Sequence, residues 1–175
     1  MILVLHQMIK CEWIKVNVDG DSSGAPVPSR CGGVFYTILW NVKGLFLHYI
    51  GNGFSIEVEL HDMIKAKRYV VLFGFHDLWI ESNSSVVVQI LKDCSKNGTW
   101  KMISVWTYYL QLQDSLSHEV THVHSQANQV DDFLSKREIF EVTTNWFFML
   151  PEYCTSHVHA DYCGEVYTRH CRMTL

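Results

Sequence analysis

The pattern of hydrophobic and polar residues predicts a domain that mixes strands and helices. Residues 12–19 alternate between apolar and polar side chains, which is typical of a half-buried strand. Two further β-rich segments, 31–40 and 44–51, are separated only by residues 41–43, so they are predicted to pair as a hairpin. Hairpin connections make neighbouring strands antiparallel, and the first three strands are therefore expected to form an antiparallel sheet.

After residue 55 the apolar spacing changes to that of a helix. Residues 55–73 have one apolar face, with Lys65, Lys67 and Arg68 off that face. The later elements are predicted to be a strand, two helices, a strand and a helix, at 77–82, from Ser84, at about 100–113, at 118–124 and from Asn128. Helical crossovers connect parallel strands. We therefore expect an α/β domain over residues 12–137, with a mixed five-stranded sheet (three antiparallel strands, then two parallel) flanked by helices. Residues 138–175 are expected to form an aromatic-rich extension that packs on the domain.

Composition places the chain among compact proteins and limits the kinds of partner. Hydrophobic residues make up 48% of the 175 residues and charged residues 18%, which is typical of a globular domain. The formal net charge of −4 argues against a protein that grips nucleic acid by bulk electrostatics. The apolar stretch at the N-terminus has no basic leader, and no segment approaches the roughly 18 apolar residues of a membrane helix. An intracellular monomer, nuclear or cytoplasmic and not secreted, is expected.

Four acidic or amide side chains stand at the ends of predicted elements. Asp19 closes the first strand, Glu59 lies early in the first helix, Asn83 follows the fourth strand, and Asp132 lies in the first turn of the last helix. In a mixed sheet of this order the first and fourth strands are neighbours, so their ends converge. Carboxylates clustered at such a point bind Mg²⁺, and two such ions can activate a water for phosphodiester cleavage.

Six motifs in register give the chain a family resemblance. They are VNVDG at 16–20, the Gly24-x-Pro26-x-Pro28 pattern, CGGV at 31–34, VEL at 58–60, IESNS at 80–84 and HVHSQANQVDD at 122–132. In this order and spacing they resemble the ribonuclease H domains of plant non-LTR retrotransposons. The resemblance extends over about residues 13–172, because Trp146, Pro151 and the DYCG segment at 161–164 match the tail of that family.

The resemblance implies a function and roles for individual residues. It implies cleavage of the RNA strand in RNA–DNA hybrids with Mg²⁺, or Mn²⁺ in its place, held by Asp19, Glu59 and Asp132. It makes His122 the histidine that moves a proton or helps the product leave, a task suited to a side chain that titrates near neutral pH. In addition it makes Asn128 a structural or substrate-contacting residue, and it places Gly24 and Pro26 in the loop that senses the RNA 2′-hydroxyl.

One departure from the family pattern bears directly on the chemistry. At the position of Asn83 the family carries an aspartate that ligates metal. An amide oxygen can coordinate but brings no negative charge, so weaker metal binding and much reduced turnover are predicted. Glu81 lies two residues earlier in the same strand, on the same face, and is a minor candidate for partial compensation. Ala25, Val27 and Gln126 also differ from the usual family residues.

Three alternatives remain open from the sequence. The domain is either a weakened enzyme or a non-catalytic nucleic-acid-binding relic of one. A third hypothesis is a zinc-dependent interaction module, built on Cys154, His157, His159 and Cys163, although their spacing is not a standard one. The basic residues 65–68 are predicted to be a solvated helix face, with contact to phosphate as the less favoured interpretation.

Overall fold

The computed structural model describes residues 12–21, 27–37, 39–92, 103–113, 116–124, 128, 130, 134 and 145–158. Its six strands are β1 (Ile14–Asp21), β2 (Val27–Tyr36), β3 (Val42–Gly53), β4 (Asp77–Ser82), β5 (Ser117–His122) and β6 (Asn145–Phe147). Its helices are α1 (Ser55–Leu72), α2 (Ser85–Lys92) and α3 (Ile103–Gln113), with a short 3₁₀ turn at Glu152–Cys154. In the ranges described, no helix is both long enough and apolar enough to cross a membrane.

The six strands form one mixed sheet in the order β5-β4-β1-β2-β3-β6. Strands β1, β2 and β3 pair antiparallel, whereas β4 pairs parallel with both β1 and β5, as predicted. The predicted strand number of five was wrong, because β6 adds an antiparallel edge to β3 through residues 145–147. A strand of three residues is too short to show an alternation of apolar and polar residues in the sequence. It is identified only by its pairing with β3.

Strand β1 is buried on both faces, although its alternation predicted a half-buried strand. Val16 and Val18 pack under α1, and the polar residues Lys15, Asn17 and Asp19 on the opposite face are at most 5% exposed. The reason is the position of β1 at the centre of the sheet, between β4 and β2. The polar face predicted to meet solvent is therefore interior, and its side chains need partners inside the protein.

Helix α1 covers one face of the sheet with a core of aliphatic side chains, among them Val58, Leu60 and Met63. Lys67 was predicted to lie away from the packed face and is instead fully buried, with its ammonium 3.5 Å from the centre of the Tyr109 ring of α3. Burial lowers the pKa of Lys67 to about 7. The packing of α3 on α1 creates this environment, which periodicity within α1 alone does not reveal.

A second cluster of buried side chains covers the opposite face of the sheet. It joins Trp79 of β4 and Tyr36 of β2 to Leu134 and Cys154 from the C-terminal third of the chain. On the α1 side of the sheet, Trp146 of β6 lies over Tyr69 of α1 at 4.6 Å between ring centres. The described part of residues 138–175 thus contacts the sheet, while the boundary near residue 138 stays a prediction.

Candidate metal-binding edge of the sheet

Asp19 and Asn83 meet where β4 ends beside β1. The parallel register pairs Val18 with Ser82, the last residue of β4, so Asn83 follows at the level of Asp19, while β1 continues to Asp21 against β2. The Asn83 amide Nδ2 donates a hydrogen bond to Asp19 Oδ1 at 2.8 Å. Asp19 is 5% exposed, and this bond gives its carboxylate a neutral hydrogen-bond donor.

Glu59 reaches the same edge from the second turn of α1. The turn before α1 is set by Glu57, whose carboxylate accepts the Phe54 N–H at 3.3 Å. Gly20 allows α1 to approach β1 closely, because a Cβ at this position would stand 2.7 Å from Val58 Cγ1 and 3.3 Å from the Glu59 nitrogen. The backbone N–H of Gly20 also donates to the Glu59 carboxylate. One glycine thus brings the second carboxylate beside Asp19.

Glu59 holds its proton far more tightly than an ordinary carboxyl group. Burial raises its pKa to about 8, the negative charge of Asp19 adds to the rise, and the Gly20 hydrogen bond opposes it. Its Oε2 atom is buried without a hydrogen-bond partner among the described residues. The ionised form of Glu59 is therefore unfavourable at this edge unless a cation accompanies it.

Glu59→Gln is expected to stabilise the metal-free protein at neutral pH. The folded pKa is about 8 against an ordinary value of 4.5, so folding keeps a proton that the unfolded chain loses. Stability is then lost progressively as pH rises from about 4.5 to about 8 and is unaffected below that window. At pH 7 the variant should gain on the order of 3 kcal/mol, at about 1.4 kcal/mol per pKa unit.

Urea denaturation in EDTA at pH 4.5, 6 and 8 measures this difference between wild type and Glu59→Gln. Glu57→Gln, in the first turn of the same helix, is the control for loss of a carboxylate, because a glutamine oxygen can still accept the Phe54 N–H. A stability difference between wild type and Glu59→Gln that does not change across the three pH values would contradict the burial of an ionisable Glu59.

Asn128 is hydrogen-bonded to β1, the strand that carries Asp19. Its side chain is fully buried, and its Nδ2 donates to the Val18 carbonyl at 3.0 Å. This is a structural contact, and contact between Asn128 and substrate stays a prediction.

His122 ends β5 at the same edge of the sheet. The register pairs it with Ser82, which in turn pairs with Val18. The His122 ring is exposed and lies 5.5 Å from the ring of His124, centre to centre. An exposed imidazole thus lies level with the end of β4 and is open to solvent.

Glu81 does not serve as the compensating ligand considered from the sequence. Its carboxylate pairs with the Lys15 ammonium at 2.8 Å, and both side chains are buried. The ammonium also lies 4.2 Å from the centre of the Trp40 ring and 4.9 Å from that of Trp79. Sequence reasoning missed this pair. The signal was available, since β1 and β4 are parallel neighbours and both residues lie on the same face of the sheet.

Several predicted site residues lie outside the described residues. These are Asp132, Gly24 and Pro26, together with His159 and Cys163 of the proposed zinc cluster. Of that cluster, Cys154 is buried as a thiol and His157 is half-buried. Within the described ranges no group of three or more histidine, cysteine, aspartate or glutamate residues is arranged to hold a metal. The described part of the candidate site thus consists of two carboxylates and one amide.

The donor set at this edge fits a hard divalent cation. Carboxylate and amide oxygens are ligands that Mg²⁺ accepts, and it keeps several waters. The unpaired Oε2 of Glu59 and the raised pKa of that group both indicate a place where positive charge is favourable. Asn83 supplies an oxygen but no charge, so the set suits one weakly held ion better than two.

Comparisons with known proteins agree with this architecture. No family model matches the chain. A protein of Arabidopsis thaliana named "Putative ribonuclease H protein" is 26% identical over 171 residues, an alignment that includes 92% of this chain and 26% of the relative. The chain thus spans about a quarter of that relative's length.

Solved structures show the same fold. The ribonuclease H1 of the archaeon Halobacterium salinarum superimposes with a TM-score of 0.66 at 22% identity, over 70% of this chain and 94% of that one. A complex of LC11 ribonuclease H1 with an RNA/DNA hybrid gives 0.64 at 20% identity, over 69% and 92%. The chain has a ribonuclease H-like fold and is similar in sequence to the Arabidopsis protein.

Proposed function

We propose that this domain binds RNA–DNA hybrids and hydrolyses the RNA strand slowly, with Mg²⁺ or Mn²⁺ as cofactor. The observation that carries the proposal is the convergence of Asp19, Glu59 and Asn83 at one sheet edge. A hybrid-bound ribonuclease H1 with the same fold supports the choice of ligand.

Each of these side chains has a proposed role in metal binding or proton transfer. Asp19 and Glu59 would hold the cation, with Asp132 as the proposed third carboxylate. When bound, the cation would supply a water activated for attack and charge stabilisation for the leaving oxygen. Glu59 must give up its proton to bind a cation, because its pKa is raised to about 8, and activity should therefore rise toward alkaline pH. His122 is proposed to move protons or help the product leave, from its exposed place at the same edge.

Substrate contacts are proposed for the residues outside the catalytic cluster. Gly24 and Pro26 would lie along the 2′-hydroxyls of the RNA strand, and Asn128 would contribute on the side of the last helix. We also propose that the domain is of the plant retrotransposon type of ribonuclease H. It would act as a monomer in the nucleus or cytoplasm.

A second function, hybrid binding without cleavage, is favoured by one specific contact. The Asn83 amide already neutralises part of the Asp19 charge by a 2.8 Å hydrogen bond. Because the Asp19 carboxylate has a hydrogen-bond donor within the protein, the site can keep its structure without a cation. Such a domain would still bind nucleic acid but would not cleave it.

Single-turnover cleavage separates the two functions. A labelled hybrid is incubated with excess protein in Mg²⁺, in Mn²⁺ and in EDTA, and Asp19→Asn is the catalytic control. Slow RNA cleavage that requires the metal and Asp19 supports the proposed hydrolase. Tight hybrid binding with the same background rate for wild type and Asp19→Asn identifies the non-catalytic function instead. Failure of wild type to bind a hybrid refutes both.

A further inference from the structure

The outer face of α1 carries a stripe of basic side chains away from the sheet edge. His61, Lys65 and Arg68 follow at intervals of four and three residues, which places them on one side of the helix. Burial and then the charge of Arg68 lower the pKa of Lys65. Burial, followed by the charge of Lys65, has the largest effects in lowering the pKa of His48 on β3 to about 4. Positive charge is therefore concentrated here, although the whole chain is mildly acidic.

A groove of about 480 Å³ runs beside this stripe, between α1 and α3. It is lined by Lys65, Arg68 and Tyr108, together with Tyr69, Leu72 and Leu112. Tyr108 is 37% exposed. The Arg68 guanidinium lies 5.8 Å from the centre of the Tyr108 ring, within the range of a cation–π contact. The groove thus combines two cations with accessible aromatic and aliphatic surface.

The acidic residue nearest along the same face of α1 is already engaged. Glu57 stands one turn before His61, and its carboxylate accepts the Phe54 N–H at the start of the helix. Asp62, three residues before Lys65, is buried. Among the described residues neither Lys65 nor Arg68 has an acidic partner within ion-pair distance, so an anionic ligand in the groove would meet both cations. Cations that track a phosphate backbone, beside an aromatic ring on which bases stack, are the features of single-strand binding surfaces.

We propose that the α1–α3 groove binds a single-stranded nucleic-acid segment, with phosphates on Lys65 and Arg68 and a base against Tyr108. This inference rests on the proposed function, because it takes the domain to be a nucleic-acid-binding one. Lys65 and Arg68 stand roughly 9 and 14 Å along the helix axis from Glu59, at about 1.5 Å per residue. A strand that extends beyond a hybrid held at the Asp19 edge therefore has only a few nucleotides to span.

Fluorescence anisotropy with a labelled dT20 oligonucleotide tests the groove directly. Lys65→Ala/Arg68→Ala should weaken binding by about tenfold or more at low salt and reduce the slope of log K against log salt by about 1.4, at roughly 0.7 per lost contact. Tyr108→Leu should weaken binding by about tenfold with the salt slope unchanged, since it removes stacking and no charge. Lys43→Ala/Lys92→Ala, which removes two exposed cations elsewhere, is the charge-matched control and should bind like wild type.

Three results of these dT20 titrations would overturn the proposal. The first is that wild type does not bind dT20. The second is that Lys43→Ala/Lys92→Ala loses as much affinity as Lys65→Ala/Arg68→Ala. The third is that Lys65→Ala/Arg68→Ala and Tyr108→Leu both keep the wild-type affinity. A further test is competition against dT20 by tripolyphosphate at equal phosphate concentration. If tripolyphosphate displaces dT20 and Tyr108→Leu binds dT20 as tightly as wild type, the groove is a simple anion site and the proposal is also overturned.

A blunt hybrid and a hybrid with a single-stranded dT overhang separate this proposal from the proposed function. Tighter binding of the overhang substrate, lost in Lys65→Ala/Arg68→Ala while blunt-hybrid binding is retained, supports the groove. Groove-dependent binding of dT20 without any binding of a blunt hybrid refutes the proposed function and leaves the groove assignment standing.

Discussion

Asn83→Asp is expected to increase metal-dependent cleavage of the RNA strand in a hybrid by more than about 100-fold. The substitution replaces a hydrogen-bonding amide with a carboxylate at 2.8 Å from Asp19 Oδ1. It adds the negative charge that a second ion requires. Loss of an outer partner of a metal ligand typically costs roughly 10- to 100-fold, and a residue that contacts the ion itself should matter more.

The same substitution should make the folded protein depend on metal. Without a cation, two carboxylates face each other where wild type has a donor and an acceptor, and like charges at this distance repel. Asn83→Asp should therefore melt at a lower temperature than wild type in EDTA and gain more from added Mg²⁺ or Mn²⁺. Thermal melts and single-turnover cleavage measure the two effects on the same samples.

Two control variants make the result specific to the site. Asn52→Asp adds the same charge at an exposed position of β3 and should leave cleavage unchanged. Asp19→Asn/Asn83→Asp restores the original charge count with the ligands exchanged and should remain far below Asn83→Asp. If Asn83→Asp cleaves no faster than wild type, Asn83 does not limit the reaction.

Lys15→Met is expected to destabilise the protein by about 3–5 kcal/mol, because it leaves the Glu81 carboxylate without its ammonium partner. The two groups are 2.8 Å apart, with side-chain exposures of 0% and 8%. Breaking one partner of a buried pair leaves an uncompensated charge, whereas removing both does not. Lys15→Met/Glu81→Leu should therefore recover most of the loss.

Urea denaturation of wild type, the two single variants and the double variant completes a double-mutant cycle for this pair. Lys43→Met, at an exposed position of β3, controls for the change from lysine to methionine. A Lys15→Met protein within about 1 kcal/mol of wild type, the usual size of an exposed pair, would contradict the buried-pair account and return Glu81 as a candidate metal ligand.

The sequence was sufficient to predict that Asp19 and Asn83 lie next to each other. Asp19 lies at the end of the alternating pattern, although β1 itself continues to Asp21, and Asn83 follows an apolar strand. Parallel neighbours bring such positions together without knowledge of any side-chain packing. Glu59 followed from its place in the first turns of a helix. The hydrogen bond between Asn83 and Asp19 did not follow, because an amide in place of a carboxylate shows only that a charge is missing.

Burial of charged groups was the main feature that the sequence did not reveal. Lys15 occupies the polar side of an alternating strand, and alternation says nothing about a second layer that covers that side. Lys67 lies off the apolar face of α1 and is enclosed by α3, an element distant along the chain. Both errors have one cause, since periodicity reports a single element and burial depends on which elements pack against it.

Calorimetric titration of Mn²⁺ into the metal-free domain, wild type against Asn83→Asp, tests the central claim most directly. The claim is that Asp19 and Glu59 form a cation site weakened by the neutral Asn83. It predicts weak binding by wild type, at least about tenfold tighter binding by Asn83→Asp, and release of protons from Glu59 in both. Equal affinities for the two proteins, with the same number of ions bound, would contradict it.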